Sequence, residues 1–260
     1  MTVPPPPATE GFQPPAHHAP TTPLRRLRYL ARLALDLQTN SIERDLRAAL
    51  AGFRGRLLDV GCGNSPFRHL LDPAMTQYQG VDVEVARAFG YQNPDTVYYD
   101  GHVLPFPDAS FDAVLCTEVL EHIPDPTETI REIHRVLKPG GRLILTLPWS
   151  ARFHYQPFDY HRYTPSTLAT LFAAFQDVTV TPRGTDFSAI ASKVIVAYAR
   201  NVVALRPRTA AGWLAWPFRL VLVFLAFPLL LLALVLGHAG IRLGLGSSDD
   251  PVGYTLLARR

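Results

Sequence analysis

Residues 57–64 read Leu-Leu-Asp-Val-Gly-Cys-Gly-Asn, an apolar strand running into an acid and a tight Gly-x-Gly turn. Ser65 and Pro66 come next, placed to begin a helix. Gly61 and Gly63 permit unusual dihedrals and remove the Cβ atoms that would hold a ligand away from the main chain. A helix opening there points its unpaired N–H groups at the same spot. Together these features describe a nucleotide-like pocket at the carboxyl end of a parallel strand. A lone Gly-x-Gly is a weak signal, and it gains weight from the order of the strands and acids downstream of it.

Strand one covers residues 56–60, and a short helix through Leu71 is expected after the turn. Residues 78–82 read as strand two, closing on Asp82, 19 positions after Gly63. That interval suits a carboxylate accepting hydrogen bonds from both hydroxyls of a ribose. Residues 96–99 make a third strand before Asp100-Gly101, and residues 111–116 a fourth, apolar enough for the middle of a sheet. Thr127 can cap a helix through Leu137 with Ile130, Ile133, His134 and Leu137 on one face. Lys138-Pro139-Gly140-Gly141 stops it, and residues 142–147 form the fifth strand. Strands alternating with helices at these lengths predict a doubly wound α/β sheet.

Upstream, residues 1–23 are rich in proline and poor in charge, the composition of a disordered or polyproline-like tail. Residues 24–51 carry leucines at helical spacing, with Arg25, Arg26, Arg28 and Arg32 making the first half basic. That half is either a solvated face or a patch for acidic lipid headgroups. The net charge of +3 comes without a Lys/Arg run, so nucleic acid is not an expected partner. Cys62 and Cys116, the two cysteines, make neither a zinc spacing nor a disulfide scaffold, and no metal is expected. No apolar core lies behind a basic start, which argues against a cleaved secretory signal and for a reduced, cytosolic setting.

With these motifs assembled, the chain resembles the class I S-adenosylmethionine-dependent methyltransferases. The resemblance rests on LLDVGCGNSPF, GVDVE, YYDGHVLPFPDASFDAVLCTEVLEHIPDP and IHRVLKPGGRLILTLP, in order from Leu57 to Leu147 and less clearly to Val180. It implies a seven-stranded Rossmann-like sheet whose last strand runs antiparallel between strands five and six. It implies S-adenosyl-L-methionine as cofactor, with Asp59, Gly61, Cys62 and Gly63 under its methionine part. Asp82 would hold the ribose with Val83 beside the adenine. Asp100 and Gly101 would contact the adenine ring, though alanine is commoner at the second position, and Thr117 would approach the methionyl end. Glu121 and His122 fall in a motif of less uniform role. The sulfonium already activates the methyl group, so the enzyme's task is alignment and exclusion of water. A base is needed only for a neutral acceptor such as a hydroxyl.

The acceptor side is expected in the loop of residues 148–165, at the carboxyl edge of the sheet. There His154 or His161 reads as a base and Arg162 as an orienting group for an acidic or phosphorylated acceptor. The competing reading is a lid whose polar residues bond only to one another. Similar loops in the family open the next helix with the equivalent of Thr164-Pro165.

Strand six is expected at residues 178–182 and the final strand at 253–259, leaving a long insertion between them. Its uncharged run of residues 220–241 lies just after Trp213, Trp216 and Arg219 and would reach roughly 33 Å as a helix, enough for a bilayer core. Residues 187–205 form a second apolar segment, interrupted by Lys193 and Arg200. If strands six and seven pair, the insertion must leave and return on one side. Pro228 would break or kink the run, which predicts a hairpin or re-entrant element dipping into one leaflet. The domain reading is a tail at 1–23, a methyltransferase domain at 24–185 and 252–260, and a membrane-associating insertion at 186–251. The expected function is methyl transfer to a small or lipid-linked acceptor at the cytoplasmic face of a membrane, with membrane lipid as partner. The alternative is a non-catalytic module of the same fold that binds membrane or a partner protein.

Overall fold

The structure is a computed structural model describing Pro20 and residues 22–89, 91, 93–155, 157–203 and 210–260. The tail expected at residues 1–23 lies, apart from Pro20, Thr22 and Pro23, outside the described residues, as do the expected interfacial side chains of Trp213, Trp216 and Arg219. The chain packs as two compact units, the first ending at residue 29 and resuming over 42–181 and 253–260, the second made of 30–41 and 182–252.

Seven strands form one sheet: β1 Gly55–Val60, β2 Thr76–Val83, β3 Thr96–Tyr99, β4 Phe111–Thr117, β5 Leu137–Pro148, β6 Gln176–Arg183 and β7 Gly253–Arg259. Their order is β3-β2-β1-β4-β5-β7-β6. The first five pair in parallel, and β7 runs antiparallel to β5, which confirms the expected topology. Alternation along the strands feeds two cores. Leu58, Val114 and Leu143 face Ile130, Ile133 and Val136, while Leu57, Leu115 and Ile144 face Ile42, Leu46 and Leu50.

Local chemistry moves several expected boundaries. The helical stretch of residues 24–51 is two helices, α1 Pro23–Leu35 and α2 Leu37–Ala49. The break falls at Asp36, whose carboxylate accepts from the Thr39 amide at 3.0 Å and its hydroxyl at 2.7 Å, a cap that outcompetes continued helix. The expected helix after the glycine turn is only a single 3₁₀ turn, Arg68–Leu70. Asp125, not Thr127, caps α3 Pro126–Val136: its side chain accepts from the Thr127 amide, and Pro126 takes the first turn. Thr164 caps α4 Pro165–Leu171 as expected.

After β6 the second unit holds α5 Asp186–Ala197, a wide π-type turn at Tyr198–Val203, and α6 Ala210–Leu243. The two helices pack antiparallel, since Ser188 donates to the Gly237 carbonyl and Tyr198 to the Val223 carbonyl, each at 3.0 Å. A Cβ at Gly237 would overlap Ala191 and Leu37, so close approach needs glycine there. The expected break at Pro228 does not occur. α6 is one continuous helix of 34 residues. Proline removes a single ladder donor, to the carbonyl four residues back, and the remaining ladder carries the helix through. The hairpin turn lies instead between α5 and α6.

Candidate active site

The carboxyl ends of β1, β2 and β4 open onto a cavity of about 530 Å³, a size suited to a small-molecule ligand. Its floor is the glycine turn. Gly61 and Gly63 have φ of +67° and +48°, and a Cβ at Gly61 would overlap the Val119 side chain. Val81 anchors the turn by accepting from the Gly61 and Cys62 amides at 2.9 and 3.2 Å. Asp82, the next-to-last residue of β2, is almost fully buried, and its carboxylate accepts from the amides of Gly63 at 2.9 Å and Val83 at 2.8 Å. One acid therefore organises the turn and borders the cavity. Burial raises its pKa, and the two amides oppose the rise.

Of the residues singled out in the sequence, Gly61, Cys62, Gly63, Asp82, Val83, Gly101 and Thr117 line this cavity. Asp59 lies beneath it: Tyr78 donates to one oxygen at 2.8 Å, and the other is buried without a hydrogen-bond partner. Asp100 is at the surface, accepting from the His102 amide at 2.9 Å in its own turn. Burial pushes the Cys62 thiol up to about 12, so it is a packed thiol beside Thr96 and not a nucleophile.

Asp59 gives the cofactor-free protein a pH signature. Burial first, and then the charge of Asp82, push its carboxyl up to about 7 from 3.8, with the Tyr78 hydrogen bond pulling the other way. The folded state thus keeps a proton that the unfolded chain has released. Its contribution to stability is present below the unfolded value and is lost as pH rises through the folded one. The melting temperature of the cofactor-free wild type is expected to fall between about pH 5 and about pH 8 by more than that of Asp59→Asn. Equal falls would contradict the assignment.

The opposite wall comes from the segment after β4 and from the acceptor loop. Glu118, with φ of +54°, Val119 and His122 face His154, Tyr155 and Phe158. His122 donates from Nδ1 to the Phe158 carbonyl at 2.6 Å, and its ring stands 5.0 Å from that of His154, edge to face. His154 Nδ1 lies 2.9 Å from the Arg152 carbonyl and 3.1 Å from Asp159 Oδ2. A carbonyl and a carboxylate only accept, so Nδ1 carries a proton, and in the neutral ring Nε2 is the acceptor. Asp159 also accepts from the His154 amide at 3.0 Å and from both arms of Arg162 at 2.6 and 2.8 Å. Burial would raise the Asp159 pKa, but the Arg162 bonds, the His154 amide and the neighbouring positive charge together hold the carboxylate below its ordinary range.

Arg162 further donates to the carbonyls of His161 and Arg152, so its guanidinium builds the loop and does not line the cavity. His161 lies outside the cavity, bonded through Nε2 to the Pro124 carbonyl at 3.0 Å. Glu121 is fully buried with neither carboxyl oxygen hydrogen-bonded, and burial together with the nearby Glu118 charge pushes its pKa well up. The ligating atoms of Glu121, His122 and His154 lie within 4.8 Å of one another, close enough to hold a cation. Sequence alone gives His122 no definite role and does not single out Glu118. Both come after a strand end at the cofactor side, a position that marks them as candidates.

Residues 58–145 match the family described as methyltransferase domain. Over 111 residues the chain is 41% identical to a ubiquinone biosynthesis O-methyltransferase of Xanthomonas oryzae pv. oryzae, covering 38% of this chain and 45% of that protein. Over 107 residues it is 41% identical to the 27-O-demethylrifamycin SV methyltransferase of Amycolatopsis mediterranei, covering 35% and 37%. The chain thus spans less than half the length of these curated relatives. A crystal structure of a SAM dependent methyltransferase from Archaeoglobus fulgidus shares the fold with a TM-score of 0.52 at 17% identity, covering 90% of this chain and 99% of that one.

Proposed function

We propose that this chain, whose residues 58–145 are a class I methyltransferase domain, moves a methyl group from S-adenosyl-L-methionine to a hydroxyl of a small or lipid-linked acceptor at the cytoplasmic face of a membrane. The residues fit the donor: the positive-φ turn at Gly61 and Gly63 floors the cavity, and Asp82 borders it as an acceptor. When bound, the donor supplies a methyl group activated by its sulfonium. The chain's own work is to hold, orient and exclude water. His154 takes the acceptor's proton at Nε2, and Asp159, itself clamped by Arg162, holds the ring and supports the imidazolium that forms. A hydroxyl acceptor is favoured by the two curated relatives, whose names both specify O-methyl transfer.

One observation carries the membrane part of the reading. Val221–Leu243 is long and apolar enough to cross a membrane, and most of its large side chains are exposed, Phe224 at 78% and Leu225 at 67% among them. A core helix would bury them. The small face of Ala233 and Gly237 meets α5, as helix pairs in lipid do. An apolar acceptor presented by the bilayer would suit such an anchor.

Flotation of the full chain with neutral phosphatidylcholine vesicles tests this. The wild type is expected to float, and Leu225→Arg/Leu229→Arg/Leu232→Arg to stay behind, each arginine costing about 2.5–3.5 kcal/mol at a helix centre. Unchanged donor binding by the variant would show that it folds. Equal flotation of both, or none by the wild type, would overturn the reading.

A further inference from the structure

A surface helix of a soluble domain turns its apolar stripe inward. α1 does the reverse. None of its residues is buried, and Leu24, Leu27, Leu30 and Leu35 are 57%, 65%, 61% and 50% exposed. At 3.6 residues per turn these four fall within one arc of about 140°. Tyr29 lies on the opposite side, where its hydroxyl donates to Glu43 and meets His69 Nε2 at 2.9 Å, with the two rings edge to face. That side of the helix is pinned through Tyr29, and at its end the Ala34 carbonyl accepts from His238 Nε2 at 2.9 Å; the four leucines stay exposed. Arg28 and Arg26 flank the apolar arc, about 20° and 40° beyond its two margins, while Arg25 and Arg32 lie further round toward Tyr29 and Arg32 pairs with Asp36 at 3.6 Å.

We infer that α1 lies in the headgroup layer of an anionic bilayer, with its leucines at the acyl boundary and the flanking Arg26 and Arg28 on lipid phosphates. An outward apolar stripe flanked by Arg28 and Arg26 complements that surface, whereas water alone leaves the leucines unburied. The inference rests on the membrane-surface reading but uses residues other than the α5–α6 hairpin, so the two can fail separately.

The full chain would be floated with vesicles of phosphatidylcholine alone and of phosphatidylcholine with phosphatidylglycerol, at low and high salt. The same comparison would be run in the Leu225→Arg/Leu229→Arg/Leu232→Arg background, where the hairpin no longer inserts. Phosphatidylglycerol is expected to raise partitioning about tenfold or more at low salt, and high salt to erase the gain. Arg25→Glu/Arg26→Glu/Arg28→Glu and Leu24→Ser/Leu27→Ser/Leu30→Ser are each expected to lose the gain while binding neutral vesicles as before. Persistence of the gain in both variants would overturn the inference. So would a leucine variant that loses only a dimer by sedimentation, which would place the stripe between two copies. A gain seen in the hairpin variant but no binding to neutral vesicles by any form would keep α1 and overturn the hairpin.

Discussion

Asp82→Ala is expected to weaken binding of S-adenosyl-L-methionine by about 100-fold or more in a calorimetric titration. Hydrogen bonds to a charged acceptor contribute roughly 1.5–3 kcal/mol each, and two ribose hydroxyls would lose theirs. At about 1.4 kcal/mol per factor of ten, that loss alone is about two decades. The same substitution also removes the acceptor for the Gly63 and Val83 amides, so the turn that floors the cavity loses its brace. Asp82→Asn keeps the shape and one acceptor and should fall between. Asp100→Ala should bind as the wild type does, because that carboxylate sits at the surface closing its own turn. Tight binding by Asp82→Ala would mean that the donor is held elsewhere.

His154→Ala is expected to lower kcat by about 10²–10⁴, the usual contribution of a positioned base, with donor affinity nearly unchanged. The split matters because a merely structural loss would raise KM for the donor as well. Asp159→Asn should lower kcat less, since the ring would keep its bond to the Arg152 carbonyl. His161→Ala should leave the rate alone, its ring being bonded outside the cavity. A rate untouched by a chelator assigns the loss to proton transfer. A rate abolished by it would move the role to a cation held by Glu121, His122 and His154.

The sheet and the glycine turn are legible in the sequence because their signals are local: apolar runs at strand length, an acid at a strand end, glycines where φ must be positive. The antiparallel seventh strand is legible only through the family resemblance, since its pairing with β5 across more than a hundred residues leaves no mark in either segment. Two of the shifted boundaries share one cause. Asp36 and Asp125 capture nearby amides, and a cap of that kind overrides leucine spacing or a neighbouring threonine. Pro228 misleads in the other direction, because a missing donor is a local cost and a helix of 34 residues outweighs it. Arg162 reads in sequence as a clamp for the acceptor, yet in the folded loop it is a brace. Which of several polar residues in a loop bond to one another is a tertiary fact, and here Asp159 takes both arms of the guanidinium.

The most direct measurement incubates the full chain with S-adenosyl-L-methionine labelled in its methyl group and with vesicles of extracted membrane lipid. The label is then counted in the organic phase. Wild type is expected to move label into an organic-soluble product, and Asp82→Ala and His154→Ala to move almost none. Donor binding with no transfer to lipid extract or to soluble phenols would contradict the proposed reaction and leave a membrane-bound module that keeps the fold without the chemistry.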